Sequence, residues 1–298
     1  MIFLIGPTSS GKTSLALKLC KKYGFEIISA DSRQIFKYLD VGTGKVPINE
    51  AQGAISIQKG DGWWELDGVR IWMYDVVNPD KYFSVVDYRA GAFGAIKEIK
   101  KRQKRPLIVG GTGLYIDALL GKNISSGSPP DWKLRKKLDK KSVLELQNMI
   151  DPAILKEMNE SDINNPRRLI RKIEKSTLQI TAPPLNPNAL IIQLSLPREE
   201  LYSKVDLWVD TIWKELLLEI QKLILKGYSQ ASPMQGIIYS TAKLFLKKQL
   251  SEDSAIQQIK LDLHAYIRRQ QTWFKKYPNT TDDSITNLVE SYLESHKE

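Results

Sequence analysis

Gly6-Pro7-Thr8-Ser9-Ser10-Gly11-Lys12-Thr13 satisfies the G-x-x-x-x-G-K-[ST] spacing. In such a loop the backbone N–H groups converge on phosphate oxygens and the following helix adds its partial positive charge. Lys12 supplies a mobile cation, and the Thr13 hydroxyl can ligate Mg²⁺. The match follows an apolar strand, Ile2 to Ile5, and opens a segment of helical spacing from Lys12 to Tyr23, a context that sets aside an accidental glycine turn. The pattern identifies a bound phosphate chain and leaves the reaction unnamed. Asp31 ends the next short strand, Glu26 to Ala30, near the phosphates. There it could ligate Mg²⁺ for a kinase or ATPase, act as a base on an acceptor nucleophile, or serve only as a cap or turn residue.

Holding these groups in place requires a covered sheet. Pro106 to Val109 is a continuous apolar run ending in Gly110-Gly111, and short buried strands that alternate with helices imply a parallel sheet with both faces covered. Trp63 to Leu66 and Val69 to Tyr74 flank Asp67-Gly68, a dipeptide suited to a tight hairpin at the sheet edge. The expected fold is therefore α/β, a P-loop NTPase-like parallel sheet core with an inserted helical module and C-terminal helices. The first part of the core spans 1–120. The module spans 121–188, is lysine-rich, and is bounded by Gly127-Ser128-Pro129-Pro130 and Pro183-Pro184. Residues 189–298 complete the core with a returning strand, Leu190 to Leu196, and long helices. In the first of these Leu201, Val205, Trp208, Ile212, Leu216 and Ile220 recur at near-helical spacing up to Gly227; another runs from about Ala255 to Phe274. The tail after Asn279 carries no clear pattern.

The chain has 298 residues, enough for a large apolar interior, and carries 44 basic against 34 acidic side chains for a net charge of +10. That balance favours polyanionic partners only where the charges cluster. They cluster twice, at Lys133, Arg135, Lys136, Lys137, Lys140 and Lys141, and at Arg167, Arg168, Arg171, Lys172 and Lys175. A single cysteine, Cys20, excludes an internal disulfide and points to a cytoplasmic home. No apolar stretch reaches bilayer length, and Met1 to Ile5 lacks the features of a signal peptide, so no membrane association is expected. His264 and His296 stand far apart without a ligand set, so no zinc site is expected.

The residues around Asp31 sharpen the picture. Ser29-Ala30-Asp31-Ser32-Arg33-Gln34-Ile35-Phe36, followed by Val41-Gly42-Thr43-Gly44-Lys45, resembles the signature of the bacterial tRNA dimethylallyltransferases. Further similar blocks follow in the family's order: Asp75 with Pro79, Phe83, Ser84 and Val85; Pro106 to Tyr115, containing Gly110-Gly111-Thr112-Gly113-Leu114-Tyr115; Arg168-Leu169-Ile170-Arg171 with Glu174; Pro197 to Tyr202; and Arg268-Arg269-Gln270-x-Thr272-Trp273-Phe274. The resemblance covers nearly the whole chain.

It implies transfer of a dimethylallyl group from dimethylallyl diphosphate to N6 of adenosine 37, beside the anticodon of tRNA, with release of diphosphate. Gly6, Pro7, Thr8, Ser9, Ser10, Gly11, Lys12 and Thr13 would then hold the diphosphate, with Mg²⁺ on Thr13. Asp31 matches the family's base, Thr112 its threonine near the reacting centre, and Lys12 a catalytic cation. Ser32, Arg33 and Gln34, with Asp31, resemble contacts to the target base region. Arg135, Arg167, Arg168 and Arg171 in the module, and Arg268, Arg269, Gln270, Thr272 and Trp273 in the last block, would contact the anticodon stem-loop. For Trp273 an RNA contact and a core position remain equally open. The protein is expected to act as a monomer.

Several positions depart from the family pattern. Trp208 stands where the family has an arginine on the diphosphate side, Trp72 replaces a histidine, Asn165 an aspartate, and Ile238-Tyr239-Ser240-Thr241 the sequence G-Y-K-E. Two other readings therefore stay in view: prenyl transfer to free adenine nucleotides, and a P-loop RNA-binding protein whose site has decayed.

Overall fold

The computed structural model describes residues 1–47, 56–122, 131–176, 188–280 and 282–296. The chain divides into two compact units, Met1–Leu120 with Asn186–Glu298, and Gly121–Leu185. The proline pairs expected to bound the inserted module lie outside the described residues.

The larger unit begins with β1 (Ile2–Ile5), the glycine loop, α1 (Lys12–Tyr23) and β2 (Phe25–Ser29). β3 (Ile57–Gly60), β4 (Trp63–Leu66) and β5 (Val69–Trp72) follow, then α2 (Val85–Lys101), β6 (Arg105–Gly110) and α3 (Gly113–Leu119). The smaller unit holds α4 (Trp132–Leu138), α5 (Val143–Gln147), α6 (Pro152–Glu157), α7 (Glu160–Ile163) and α8 (Pro166–Ser176). The chain then returns through β7 (Leu190–Gln193), α9 (Arg198–Leu225), α10 (Ile237–Leu246), α11 (Glu252–Phe274) and α12 (Asp282–Ser295).

The described strands form one sheet in the order β3-β4-β5-β2-β6-β1-β7. β5, β2, β6, β1 and β7 run parallel. β3 and β4 add an antiparallel edge. The turn between β4 and β5 has φ of 47° at Asp67 and 79° at Gly68, the left-handed pair that a two-residue hairpin demands. The hairpin does more than decorate the edge, because β5 pairs directly with β2 at Ile27↔Ile71. β3 is an element that the sequence pattern did not announce.

Parallel partners project side chains to the same face, and that alternation splits the core in two. Ile2, Leu4, Ile27, Ile71, Leu107 and Val109 pack with Ala16, Leu19 and Cys20 of α1 and with Ile285 and Val289 of α12. Phe3, Ile5, Ile28 and Ile108 pack on the other face against α2, α3, α9, α10 and α11. Cys20 lies in the first cluster, where burial pushes its thiol up to about 12 and removes it as a nucleophile at neutral pH. The buried stripe of α9 follows Leu201, Val205, Val209, Ile212, Leu216 and Ile220. Trp208 stands beside that stripe, half-buried, with Val209 in the core position expected of it.

The smaller unit is organised around Leu138, Leu146, Ile150, Leu169, Ile170 and Ile173. Glu174, 3% exposed, sits at its centre and receives Arg135 through Nε at 2.5 Å and Nη2 at 2.8 Å, and Arg171 through Nη1 at 3.0 Å. Burial acts to raise the Glu174 pKa, but the two guanidinium groups outweigh it and hold the carboxyl below its ordinary value. Asn165, the departure from an aspartate, still accepts the Arg168 backbone N–H at 3.3 Å at the start of α8. No helix among the described residues is long and apolar enough to cross a membrane.

Candidate active site

The parallel strands end on one side of the sheet, and a cavity of about 740 Å³ lies over those ends. This is where an open α/β sheet binds its ligands. Gly11, Lys12, Thr13 and Ser14 border it from the glycine loop and α1, Asp31 to Gln34 from the end of β2, and Gly110 and Gly111 from β6. Gly42 to Gly44, Lys204, Leu207, Trp208 and Thr211 of α9, and Leu263 with Tyr266 of α11 contribute further walls.

Gly11, with φ of 85°, gives α1 no side-chain cap, and no acidic residue stands in its first turn. The first N–H groups and the positive end of the helix are thus presented to the cavity. Lys12 curls back, its Nζ donating to Pro7 O at 2.5 Å and Ser10 Oγ at 3.3 Å. Burial lowers its pKa to about 8, against the opposing charge of Asp31.

Asp31 stands in the cavity wall. Its Oδ1 accepts the Arg33 backbone N–H at 2.8 Å. Enclosure raises its carboxyl above the ordinary carboxylate value, opposed by that hydrogen bond and by the charges of Arg33 and Lys12. Thr112 ties the neighbouring turn in place: its Oγ1 accepts the Ser32 N–H at 3.0 Å, while its own N–H donates to Ala30 O at 3.1 Å. Asp31, Ser32, Thr112 and Lys12 are therefore one constellation assembled from β1, β2 and β6.

Gln34 faces inward more than its sequence role implied. Its Oε1 accepts the Ser29 hydroxyl at 2.7 Å, and its Nε2 donates to Thr43 O at 3.2 Å and Gly44 O at 3.4 Å. It therefore braces the 42–44 loop as well as lining the cavity.

Gln270 requires a correction. It is 6% exposed, its Oε1 accepts the Thr8 N–H at 2.9 Å and its Nε2 donates to Gly111 O at 3.0 Å. It clamps the glycine loop to the end of β6 and is not available to RNA. The same clamp removes the Thr8 N–H from the groups that could converge on phosphate. Close approach of α11 also explains the glycines of this block: a Cβ on Gly111 would meet Gln270 Nε2 at 2.5 Å, and one on Gly113 would meet the Trp273 ring at 2.2 Å. Trp273 accordingly packs on Gly113, with Lys276 Nζ 3.7 Å from its ring centroid. Thr272 returns its hydroxyl to Arg268 O at 3.0 Å. Arg268 and Arg269 are exposed, Arg268 donating to Tyr202 Oη at 2.9 Å.

In the smaller unit Arg135 and Arg171 are committed to Glu174, and Arg168 pairs with Asp162. Arg167 is exposed.

Sequence reasoning missed two supports. Glu219, on α9, accepts the N–H groups of Asp40 at 2.6 Å, Val41 at 2.7 Å and Gly42 at 3.2 Å, and the Tyr239 hydroxyl at 2.7 Å. Lys45, fully buried, donates to Asp40 at 2.8 Å and pairs with Asp75. A buried acid within an amphipathic helix was the one available sign of the first; Lys45 was visible only as a motif position. Three departures also acquire partners: Tyr239 on Glu219, Trp72 through Nε1 on Glu26 at 2.9 Å, and Trp208 beside Gly44, whose Cβ would lie 3.7 Å from its ring.

A P-loop-like α/β core with an open helix N-terminus, a lysine and a carboxylate around one cavity defines the class: an α/β core whose cavity could hold a phosphate chain beside an acceptor. The sequence matches the IPP transferase family over residues 34–277 and the isopentenyl transferase family over residues 1–58. It is 36% identical to a tRNA dimethylallyltransferase of Acetivibrio thermocellus, over 98% of this chain and 97% of that protein. Two crystal structures share the fold. One is a tRNA delta(2)-isopentenylpyrophosphate transferase of Staphylococcus epidermidis, with TM-score 0.66, 27% identity and 99% of each chain covered. The other is the tRNA isopentenylpyrophosphate transferase of Bacillus halodurans, with TM-score 0.68, 29% identity, and 99% of this chain and 96% of that one covered. The chain belongs to the IPP transferase family, and is an enzyme of the prenyltransferase type.

Proposed function

We propose that the chain transfers a dimethylallyl group from dimethylallyl diphosphate to N6 of adenosine 37 in the anticodon loop of tRNA. The observation that carries this reading is the presence of Asp31 and the uncapped N-terminus of α1 in the walls of one cavity. The N6 lone pair attacks C1 of the allyl group as the C1–O bond breaks. The electron pair leaves on diphosphate, and the N6 proton passes to Asp31. The first-turn N–H groups of α1 and Lys12 neutralise the departing charge, so the loop promotes C–O cleavage without any phosphoryl transfer. An adenine amine is a poor nucleophile, which makes alignment by Ser32 and Thr112 as important as basicity.

Mg²⁺ fits the donor set. The Thr13 hydroxyl borders the cavity, and among the described residues no cluster of three or more carboxylate, imidazole or thiolate side chains forms a cage. Such a site suits an ion that keeps its waters and is shared with substrate phosphates. Bound there, it would add positive charge beside the diphosphate. Exposed Arg268, Arg269, Arg33 and Arg167 are the contacts proposed for RNA phosphates and bases, and the protein is read as a cytoplasmic monomer.

The test supplies the protein with labelled dimethylallyl diphosphate, Mg²⁺, and either an anticodon stem-loop or AMP. Label on the stem-loop is the expected result. Label on AMP alone reassigns the acceptor to a free nucleotide, and transfer to neither removes the catalytic reading.

A further inference from the structure

A second cavity, of about 340 Å³, opens behind the glycine loop at the end of β7. Pro7 forms part of its wall, whereas Thr8 and Ser9 border the first cavity, so the loop is a partition between the two. α11 is shared in the same way: Leu263 and Tyr266 line the first cavity, Gln271 and Phe274 the second. Two cations reach the second cavity from different elements, Arg198 from the first turn of α9 and Lys275 from the cap of α11. Both are exposed, and among the described residues neither pairs with a carboxylate. Arg198 is held by a neutral partner, its Nε donating to Gln271 Oε1 at 3.2 Å, so it is fixed without being neutralised. In the smaller unit, by contrast, Arg135, Arg171 and Arg168 are each committed to an acid. No acidic side chain lines the second cavity among the described residues. Glu199 and Glu200 share the first turn of α9 but lie outside that lining, and Glu200 is paired with Lys204 at 2.6 Å. Carbonyls at the end of α11 would repel an anion, but they are taken up. The Gln193 amide, 5% exposed, turns its nitrogen to Phe274 O at 2.9 Å and Tyr277 O at 3.1 Å.

We propose that this second cavity binds a small phosphate-bearing molecule, held against the back of the glycine loop by Arg198 and Lys275. Its volume falls within the range of small-molecule sites, roughly 300–1,000 Å³. Two uncompensated cations match a phosphate monoester, which carries about −1.5 to −2 charges near neutral pH, better than they match a single carboxylate. The guanidinium offers paired donors to phosphate oxygens, and the ammonium adds a point charge. Phe274 and Tyr277, 1% and 7% exposed, give the body of the molecule a rigid apolar wall. A concave pocket of this kind suits a free ligand, whereas an RNA strand is gripped along an open surface. The occupant rests on Pro7, whose carbonyl accepts Lys12 Nζ at 2.5 Å, and beside Gln271, which follows the Gln270 that clamps Thr8. It therefore touches both restraints on the loop without entering the first cavity.

The experiment is equilibrium dialysis of the full-length protein against labelled inorganic phosphate, with Lys12→Ala used to weaken binding in the first cavity. A phosphate site should survive Lys12→Ala. Adding Arg198→Gln or Lys275→Gln should weaken that site at least about tenfold. Both side chains are exposed, so thermal melts should be unchanged, and Arg198→Lys, which keeps the charge, should lose less than Arg198→Gln. Ribose 5-phosphate should displace the label, and acetate at the same concentration should not. Phosphate binding that disappears with Lys12→Ala, or that is indifferent to both charge removals, overturns the assignment, as does equal displacement by acetate. Displacement by an anticodon stem-loop, together with weaker stem-loop binding in Arg198→Gln, gives these cations to the RNA backbone and overturns it as well. Dialysis needs no turnover, so protein that transfers no prenyl group still decides the matter.

Discussion

The Gln270 side chain accepts the Thr8 N–H at 2.9 Å across 262 residues of sequence, and its other end reaches Gly111 O at 3.0 Å. One amide on α11 therefore fixes the separation between the glycine loop and the end of β6. Gln270→Ala leaves both backbone groups without their partner in a buried setting, at a cost of about 2 kcal/mol. KM for the donor should rise about tenfold, with a smaller change in kcat. Steady-state kinetics at saturating RNA check this, and an unchanged KM would return Gln270 to a packing role.

Glu219 acts on the opposite wall. Its carboxylate gathers three backbone N–H groups of the 40–42 turn, and Gln34 holds the carbonyls of Thr43 and Gly44. Glu219→Ala should lower unfolding free energy by about 3 kcal/mol, because several buried donors lose one acceptor together. A denaturant melt at unchanged slope measures it. Glu219→Gln, which keeps an acceptor oxygen, should recover part of the loss.

The acid limb of the reaction reports Asp31. A general base works only when deprotonated, and enclosure raises its pKa above the ordinary value of 3.8. Activity should therefore fall on acidification earlier than an exposed aspartate would dictate. Arg33 opposes the rise by its charge as well as its backbone N–H. Arg33→Gln removes the charge alone, and the limb of kcat/KM should move to higher pH. A limb that stays fixed or moves lower contradicts the assignment.

The basic module separates two roles that its sequence merged. Arg135→Ala breaks a pair with buried Glu174 and should destabilise the smaller unit by about 3 kcal/mol. Because the Glu174 pKa is depressed, the pair's stabilisation is complete above the ordinary value of 4.5 and is lost as pH falls through the folded-state value. Arg167→Ala, by contrast, should leave the melt unchanged and reduce the salt dependence of RNA binding by about one ion. Thermal melts and binding titrations over a salt series separate the two.

These contrasts indicate what the sequence could and could not convey. The glycine loop was legible from its spacing after a short apolar strand; Asp31 and Thr112, each beyond the end of such a strand, took their proposed roles from the resemblance of the blocks around them, and parallel strands bring these ends together. The hairpin turn at Asp67-Gly68 was legible from its dipeptide. Gln270 was not, since a glutamine among arginines on a helix looks like a nucleic-acid contact until α11 is docked on Gly111 and Gly113. Glu219 and Lys45 were hidden for the same reason: their partners are fixed by packing between distant elements. α12 escaped notice because its few inward residues, Ile285 and Val289, give a short pattern that gains meaning only against the α1 face of the sheet.

The central claim is that Asp31 accepts the proton of the attacking amine beside the diphosphate cradle. It is tested most directly by single-turnover transfer of labelled dimethylallyl from its diphosphate to an anticodon stem-loop with Asp31→Asn, alongside RNA binding by the same protein. The account predicts a rate lower by at least about a hundredfold with RNA affinity within about twofold of wild type. Wild-type transfer by Asp31→Asn would contradict it.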